Sequence, residues 1–279
     1  MARRRTRSRA APRSRRGSAG GSGKTIMLVA LAAIMVAGVG YLFWWSNREA
    51  QASALDPQTL CPESGPVAMT AILMDLTDPL SPAQASQLLA WLDKEIDDAP
   101  RGTQFTMGVV SEDQADWHAT PALCKPQDKA SASAFTQNPE LIGKRYDALF
   151  LKPLEANIRQ LTTATAAKHS PIMESLQALV SDTPGFVTFK GPRRIVLVSD
   201  LLQNSEALSF YRGETWDSFH KSADYQRIGS TLEDVDIAIY QVPRPLEGVR
   251  DPAVLEDFWI RYFERQGAHL PTSKRLGDL

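Results

Sequence analysis

The spacing of hydrophobic and polar positions changes several times along the chain, and each change predicts an element. Residues 25–45 (TIMLVALAAIMVAGVGYLFWW) run for 21 positions without a charge. At 1.5 Å per residue they make about 31 Å of helix, matching a hydrocarbon core of roughly 30 Å. Residues 46–65 are polar and read as a linker. Residues 67–74 (VAMTAILM) are continuously apolar and end in Asp75, as expected of a central parallel strand. Ser81-Pro82 opens a helix with Leu88, Leu89, Trp91, Leu92 and Ile96 on one face, and Pro100-Arg101-Gly102 stops it. Residues 105–110 predict a second strand, and 117–123 a third returning beside it.

Residues 128–166 have mostly helical spacing, with Tyr146, Leu149, Phe150, Leu154, Ile158 and Leu161 as the apolar set. A shorter helix after Ser170-Pro171 carries Ile172, Leu176, Leu179 and Val180. Residues 194–199 (RIVLVS) form a second strongly buried strand that also ends in an aspartate, Asp200, and 235–242 a further strand. Val254, Leu255, Phe258, Trp259, Tyr262 and Phe263 make a broad stripe on the last helix, and 271–279 read as a tail. Strands alternating with amphipathic helices predict an α/β fold over residues 66–270. It is a three-layer, doubly wound, mostly parallel sheet behind one transmembrane helix.

Composition narrows the function. Apolar residues at 43% and charged residues at 23% exclude disorder as the dominant state. The net charge of −1 hides a segregation: residues 1–24 hold eight Arg and Lys24 and no acid. Of 31 basic residues, 22 remain beyond the tail against 32 acidic ones, a net of −10. An acidic body argues against nucleic acid as a partner. By the positive-inside rule, the nine charges put the N-terminus in the cytoplasm and the C-terminal domain in the periplasm, as a single-pass protein of a bacterial inner membrane. Tyr41, Trp44 and Trp45 suit the headgroup region at the far end of the span. Ala50-Gln51-Ala52 resembles a cleavage site, but the apolar run exceeds the 7–15 residues of a signal sequence, so the reading is an uncleaved anchor. Residues 18–25 (SAGGSGKT) miss a phosphate-binding loop at Ser18 and lack the strand such a loop needs before it.

Two cysteines, Cys61 and Cys124, both follow the span. In an oxidising compartment an even count predicts one disulfide, with two unpaired buried thiols as the other reading. His118, His169, His220 and His269 lack zinc spacing, and with no G-x-S-x-G elbow the neighbours His169 and Ser170 do not predict a hydrolase.

Chemistry collects at the carboxyl ends of parallel strands. There the first strand delivers Asp75-Leu76-Thr77-Asp78-Pro79-Leu80-Ser81 and the later one Ser199-Asp200, while His169-Ser170-Pro171 stands at a helix start between them. This order resembles the von Willebrand factor A (vWA) family, from about Val67 to Gln266. The resemblance implies a metal-ion-dependent adhesion site built from D-x-S/T-x-S, a Thr and an Asp. Asp75 and Thr77 match its first two positions, Ser170 stands for the Thr and Asp200 for the final Asp. Pro79 replaces the third position, removing a hydroxyl, and Leu201 follows Asp200 where the family often has Gly. Oxygen ligands of this kind suit Mg²⁺. The resemblance implies a protein-interaction or assembly module without catalytic residues, joined to a protein partner through the cation. A metal-dependent hydrolase using Asp75, Asp78 and Asp200, and a structural envelope subunit without metal, are the alternatives. In every case Asp75 and Asp200 are expected to project into one crevice beside Thr77 and Ser170.

Overall fold

The uncharged run forms one long helix, α1 (Ser22–Ala52), containing the stretch Ile26–Trp44 with a mean hydropathy of 2.5. Its apolar side chains face outward all round, Leu28 at 65% exposure and Ile34 at 69%. It is long and apolar enough to cross a membrane. This computed structural model describes residues 22–52 and 55–277, apart from 78, 114, 116, 134–136, 162–167, 230, 245–251 and 270. Most of the basic tail and Asp78 therefore lie outside the described residues. The chain divides into two units, Met1–Ser53 and Ala54–Leu279. Helix α1 continues to Ala52, through part of the stretch read as a linker. The rest of that stretch belongs to the second unit: Leu55 bridges Pro62, Leu60 is buried and Cys61 is cross-linked.

The second unit is a doubly wound α/β sheet. Its strands are β1 (Ala68–Met74), β2 (Thr103–Val109), β3 (Leu123–Cys124), β4 (Arg193–Ser199), β5 (Val235–Gln241) and β6 (Thr272–Arg275), in the spatial order β3-β2-β1-β4-β5-β6. All neighbours are parallel except β2 and β3. Alternation along each strand sorts the core into two layers. Ala71, Leu73, Ile195, Leu197, Ile237 and Ile239 meet α5 (Ile172–Asp182) and α8 (Pro252–Arg265), with the short helices α6 (Trp216–Phe219) and α7 (Ala223–Ile228) between them in the chain. Ile72, Met74, Val196, Val198 and Tyr240 meet α2 (Pro82–Asp98), α3 (Pro139–Tyr146) and α4 (Lys152–Leu161) on the other face. Helix α2 starts as the sequence predicts, with Ser81 and Gln84 closing a capping box ahead of Pro82.

The structure departs from expectation in several places. The helix expected from residue 128 begins at Pro139, and Leu89 and Val254, expected on apolar faces, are 39% and 46% exposed. The third strand shrinks to Leu123–Cys124, because Pro121 has no N–H to extend the ladder. The preceding turn instead lends β2 the Thr120 backbone and hydroxyl, both at Met107. The expected tail contains β6, an edge strand whose four residues are exposed and carry no apolar alternation. Leu149, expected in the core, is 54% exposed. A π-helical turn, Asp147–Leu151, separates α3 from α4. Tyr146, Phe150, Leu154 and Ile158 are all buried, at steps of four residues. Each such step overshoots a turn by about 40°, and the π turn absorbs roughly one residue of that drift. The buried line stays straight, and Leu149, one residue off it, points outward.

Cys61 and Cys124 form a disulfide across 63 residues of sequence, tying the segment before β1 to β3. Next to it, Lys125 is buried and donates to the carbonyls of Asp97 and Ala99, closing the C-terminal end of α2.

Candidate functional site

Strand order reverses between β1 and β4, so their carboxyl ends border the crevice where doubly wound sheets bind ligands. Met74 pairs with Val198 in parallel register, which places Asp75 beside Ser199 at the next position. The Asp75 N–H continues the ladder to the Val198 carbonyl at 2.7 Å.

Asp75 is 6% exposed, and its carboxylate accepts four hydrogen bonds. Oδ1 takes the Thr77 hydroxyl at 2.8 Å and the Thr77 N–H at 3.3 Å. Oδ2 takes the Ser170 hydroxyl at 2.9 Å and the Ser199 hydroxyl at 3.0 Å. Three loops thus meet on one buried carboxylate, which explains how a charged group sits so deep: every lone-pair direction faces a donor.

Asp200 sits differently. It borders an open cavity of about 260 Å³ whose lining includes Thr77, Ser170, Lys168, His169, Asn204 and Tyr211. Its Oδ1 accepts the Leu202 N–H at 2.8 Å, a local turn that aims the loop. The two carboxylates therefore do not share one open crevice as expected. Asp200 borders the cavity, the hydroxyls of Thr77 and Ser170 stand between, and Asp75 lies beneath them. The physical reason is the strand alternation, which turns Asp75 onto the inner face that also holds Leu73 and Leu197.

Two contributors escaped the sequence reading. Ser199 donates to Asp75 and accepts the Leu201 N–H at 2.8 Å, so one hydroxyl links both strand ends. Period-two spacing from Ile195 and Leu197 was the signal that could have found it. Asn204 exchanges backbone hydrogen bonds with Ser170, both at 2.9 Å, and its side chain reaches the Lys168 carbonyl. Nothing in the local sequence announces that bridge. On the first loop, Arg244 donates to the Pro79 carbonyl at 2.8 Å, so the residue that replaces a hydroxyl is held by its backbone.

Among the described residues, no three His, Cys, Asp or Glu side chains gather as a metal-ligand set. The side-chain oxygens lining the cavity are the hydroxyls of Thr77, Ser170 and Tyr211, the Asn204 amide and the Asp200 carboxylate. The Ser170 hydroxyl is engaged with Asp75, while the neighbouring His169 faces Glu112. The His169 N–H donates to Glu112 at 2.6 Å and holds that carboxyl below its ordinary range. The adjacent serine and histidine are therefore directed to different acids.

No protein-family model matches the chain, and no curated protein matches it. Among solved structures it is similar to the ArnB paralog VWA2 from Sulfolobus acidocaldarius, at 10% identity and a TM-score of 0.37 over 70% of this chain and 39% of that one. It is also similar to proximal thread matrix protein 1 from the mussel byssus, at 12% identity and a TM-score of 0.40 over 75% of this chain and 42% of that one. A third is an aerotolerance-related membrane protein from Bacteroides fragilis NCTC 9343 carrying multiple mutations to serine. There the identity is 15% and the TM-score 0.31, over 75% of this chain and 92% of that one. The chain thus spans about two fifths of the length of the first two structures. These likenesses are distant, and the α/β fold stands on its own strand order and register.

Proposed function

We propose that this is a single-pass membrane protein whose vWA-like domain, outside the cytoplasm, is a protein-interaction module. The cavity at the β1–β4 switch is then its docking point, with a divalent cation such as Mg²⁺ joining it to a partner carboxylate. The observation that carries this reading is that Thr77 and Ser170 give their protons to Asp75 while bordering the same cavity as Asp200. A hydroxyl whose proton is taken from below keeps its lone pairs for whatever enters from above. Thr77, Ser170 and Asp200 are the residues that would hold the cation, and Asp75 orients the two hydroxyls. When bound, the ion supplies positive charge and an open position for an acidic side chain. The chain's own part is to orient oxygens and to present Tyr211 and Lys168 at the rim. No catalytic step is assigned to it.

A metal-free structural subunit is the second reading. Pro79 removes one ligand hydroxyl, and the Asp75 carboxylate already has a full set of donors. Thermal melts of the full chain separate the two readings. Millimolar Mg²⁺ or Mn²⁺ is expected to raise Tm by mass action, and Thr77→Val and Asp200→Asn to abolish that rise. An unchanged Tm, with a co-purifying partner that chelator does not release, would establish the metal-free reading instead. For topology, a reporter active only outside the cytoplasm, fused after Leu279, is expected to be active. A cytoplasmic reporter active at that position would reverse the orientation.

A further inference from the structure

A second cleft, of about 420 Å³, is lined by segment 55–60, by Arg101 and Pro126, and by α3 with its π turn. Its apolar wall includes Leu55, Leu60, Ile142 and Leu149, the last turned outward by the π insertion. Arg101 and Arg145 also line it, and neither forms an ion pair with any described residue. Tyr146 completes the set. It is 8% exposed, and its buried hydroxyl has no hydrogen-bond partner among the described residues. Burial, followed by the charges of Asp97, Asp128, Asp147 and Asp93, pushes that hydroxyl up to about 12, so it is a permanent donor at neutral pH. The Asp56 carboxylate at the rim is committed to the 58–59 turn, accepting two N–H groups and the Thr59 hydroxyl. Apolar walls with a few converging polar groups are the usual make-up of a ligand site. Two unpaired guanidiniums select an anion, and their planar forks suit phosphate oxygens.

We propose that this cleft binds an anionic membrane phospholipid. Its phosphate lies between Arg101 and Arg145, and the first methylenes of an acyl chain lie along Ile142 and Leu149. The chain itself favours lipid as the source of the anion, because Leu55 follows the apolar stretch ending at Trp44 by only eleven positions. A ligand so close along the chain has a high effective concentration. The inference rests on the membrane-anchored reading and is independent of the cavity at Asp200.

The test uses the full chain in nanodiscs of phosphatidylcholine, with or without photoactivatable phosphatidylglycerol. Crosslinks are expected to map to segment 55–60 and to α3. Arg101→Gln with Arg145→Gln is expected to cut their yield roughly tenfold. Arg159→Gln, an exposed arginine of α4 paired with Glu155, is expected to leave the yield unchanged. Equal yields in the double variant would overturn the site. So would labelling by a photoactivatable fatty acid in detergent with none by phosphatidylglycerol. Release of the chain from vesicles by alkaline carbonate would overturn the anchor itself. Retention without headgroup-dependent labelling would overturn the cleft alone.

Discussion

Trp259 on α8 donates its indole N–H to the carbonyl of Leu201 at 2.9 Å, and Leu201 has a φ of 69°. This is the left-handed region that favours glycine, and it is the position where the vWA resemblance leads one to expect Gly. A leucine there costs about 1–2 kcal/mol of backbone strain. It persists because its side chain is 3% exposed and because the backbone is held at both ends, by Trp259 and by the Ser199 hydroxyl. The loop that carries Asp200 is thus fixed from α8 as well as from the end of β4.

That balance gives an ordering. Trp259→Phe keeps one aromatic ring but loses the bond and part of the buried indole, and is expected to cost more in denaturant unfolding than the roughly 1 kcal/mol of the hydrogen bond alone. Leu201→Ala keeps the strain and loses the packing, at about 2–5 kcal/mol. Leu201→Gly loses the packing but relieves the strain, and is expected to be the milder of the two. A glycine variant less stable than the alanine variant would show that strain is not stored at this position.

Asp75 holds three hydroxyls, so the consequence depends on what replaces it. Asp75→Ala strands the Ser199 hydroxyl, which is fully buried, whereas Thr77 and Ser170 border the cavity and can reach water. The expected loss is about 1–3 kcal/mol. Asp75→Asn retains one acceptor oxygen, and the hydroxyls can rotate to accept from its amide, so a smaller loss is expected. Equal losses in the two variants, measured by chemical unfolding, would mean that the carboxylate's charge, not its acceptor count, organises the loops.

The disulfide closes 63 residues of sequence separation. Loop entropy alone credits it with roughly 4 kcal/mol. Reduction of the full chain, or paired Cys61→Ala and Cys124→Ala, is expected to lower Tm by several degrees. Two freely alkylated thiols in the native, non-reduced protein would show that the bond does not form in solution.

His269 supplies a pH dependence. Its Nδ1 lies 2.6 Å from Asp236, and that hydrogen bond, with the charges of Asp236 and Asp234, raises it above its ordinary 6.5 despite some desolvation. A raised folded value means that the protonated ring favours the folded state. The stabilisation is complete below about pH 6.5 and disappears as pH rises through the raised value. His269→Gln is therefore expected to lower Tm at about pH 5.5 and to leave it unchanged at about pH 9. Melts across that range give the comparison, and a variant whose deficit grows with pH would contradict the sign.

The sequence by itself determined what local rules govern. Length and apolarity marked the long apolar helix α1. Uninterrupted apolar runs marked β1 and β4, each ending in an aspartate, and the Ser81-Pro82 signal marked the start of α2. The number and location of the cysteines marked the disulfide. Tertiary structure decided what depends on neighbours distant in the chain. Strand β6 exists because the edge of β5 offers a ladder, and nothing within residues 272–275 asks for a strand. The π turn keeps a four-residue spacing on one face, which no pattern of apolar positions distinguishes from an ordinary helix, and it sends Leu149 outward. Asp75 and Asp200 read alike as strand-end acids. Only the pairing of β1 with β4, and the arrival of Ser170 beside them, buries one beneath three hydroxyls and leaves the other at the cavity. A carboxylate's role follows from the donors packed around it, and for Asp75 two of those, Ser170 and Ser199, lie 95 and 124 residues away in the chain.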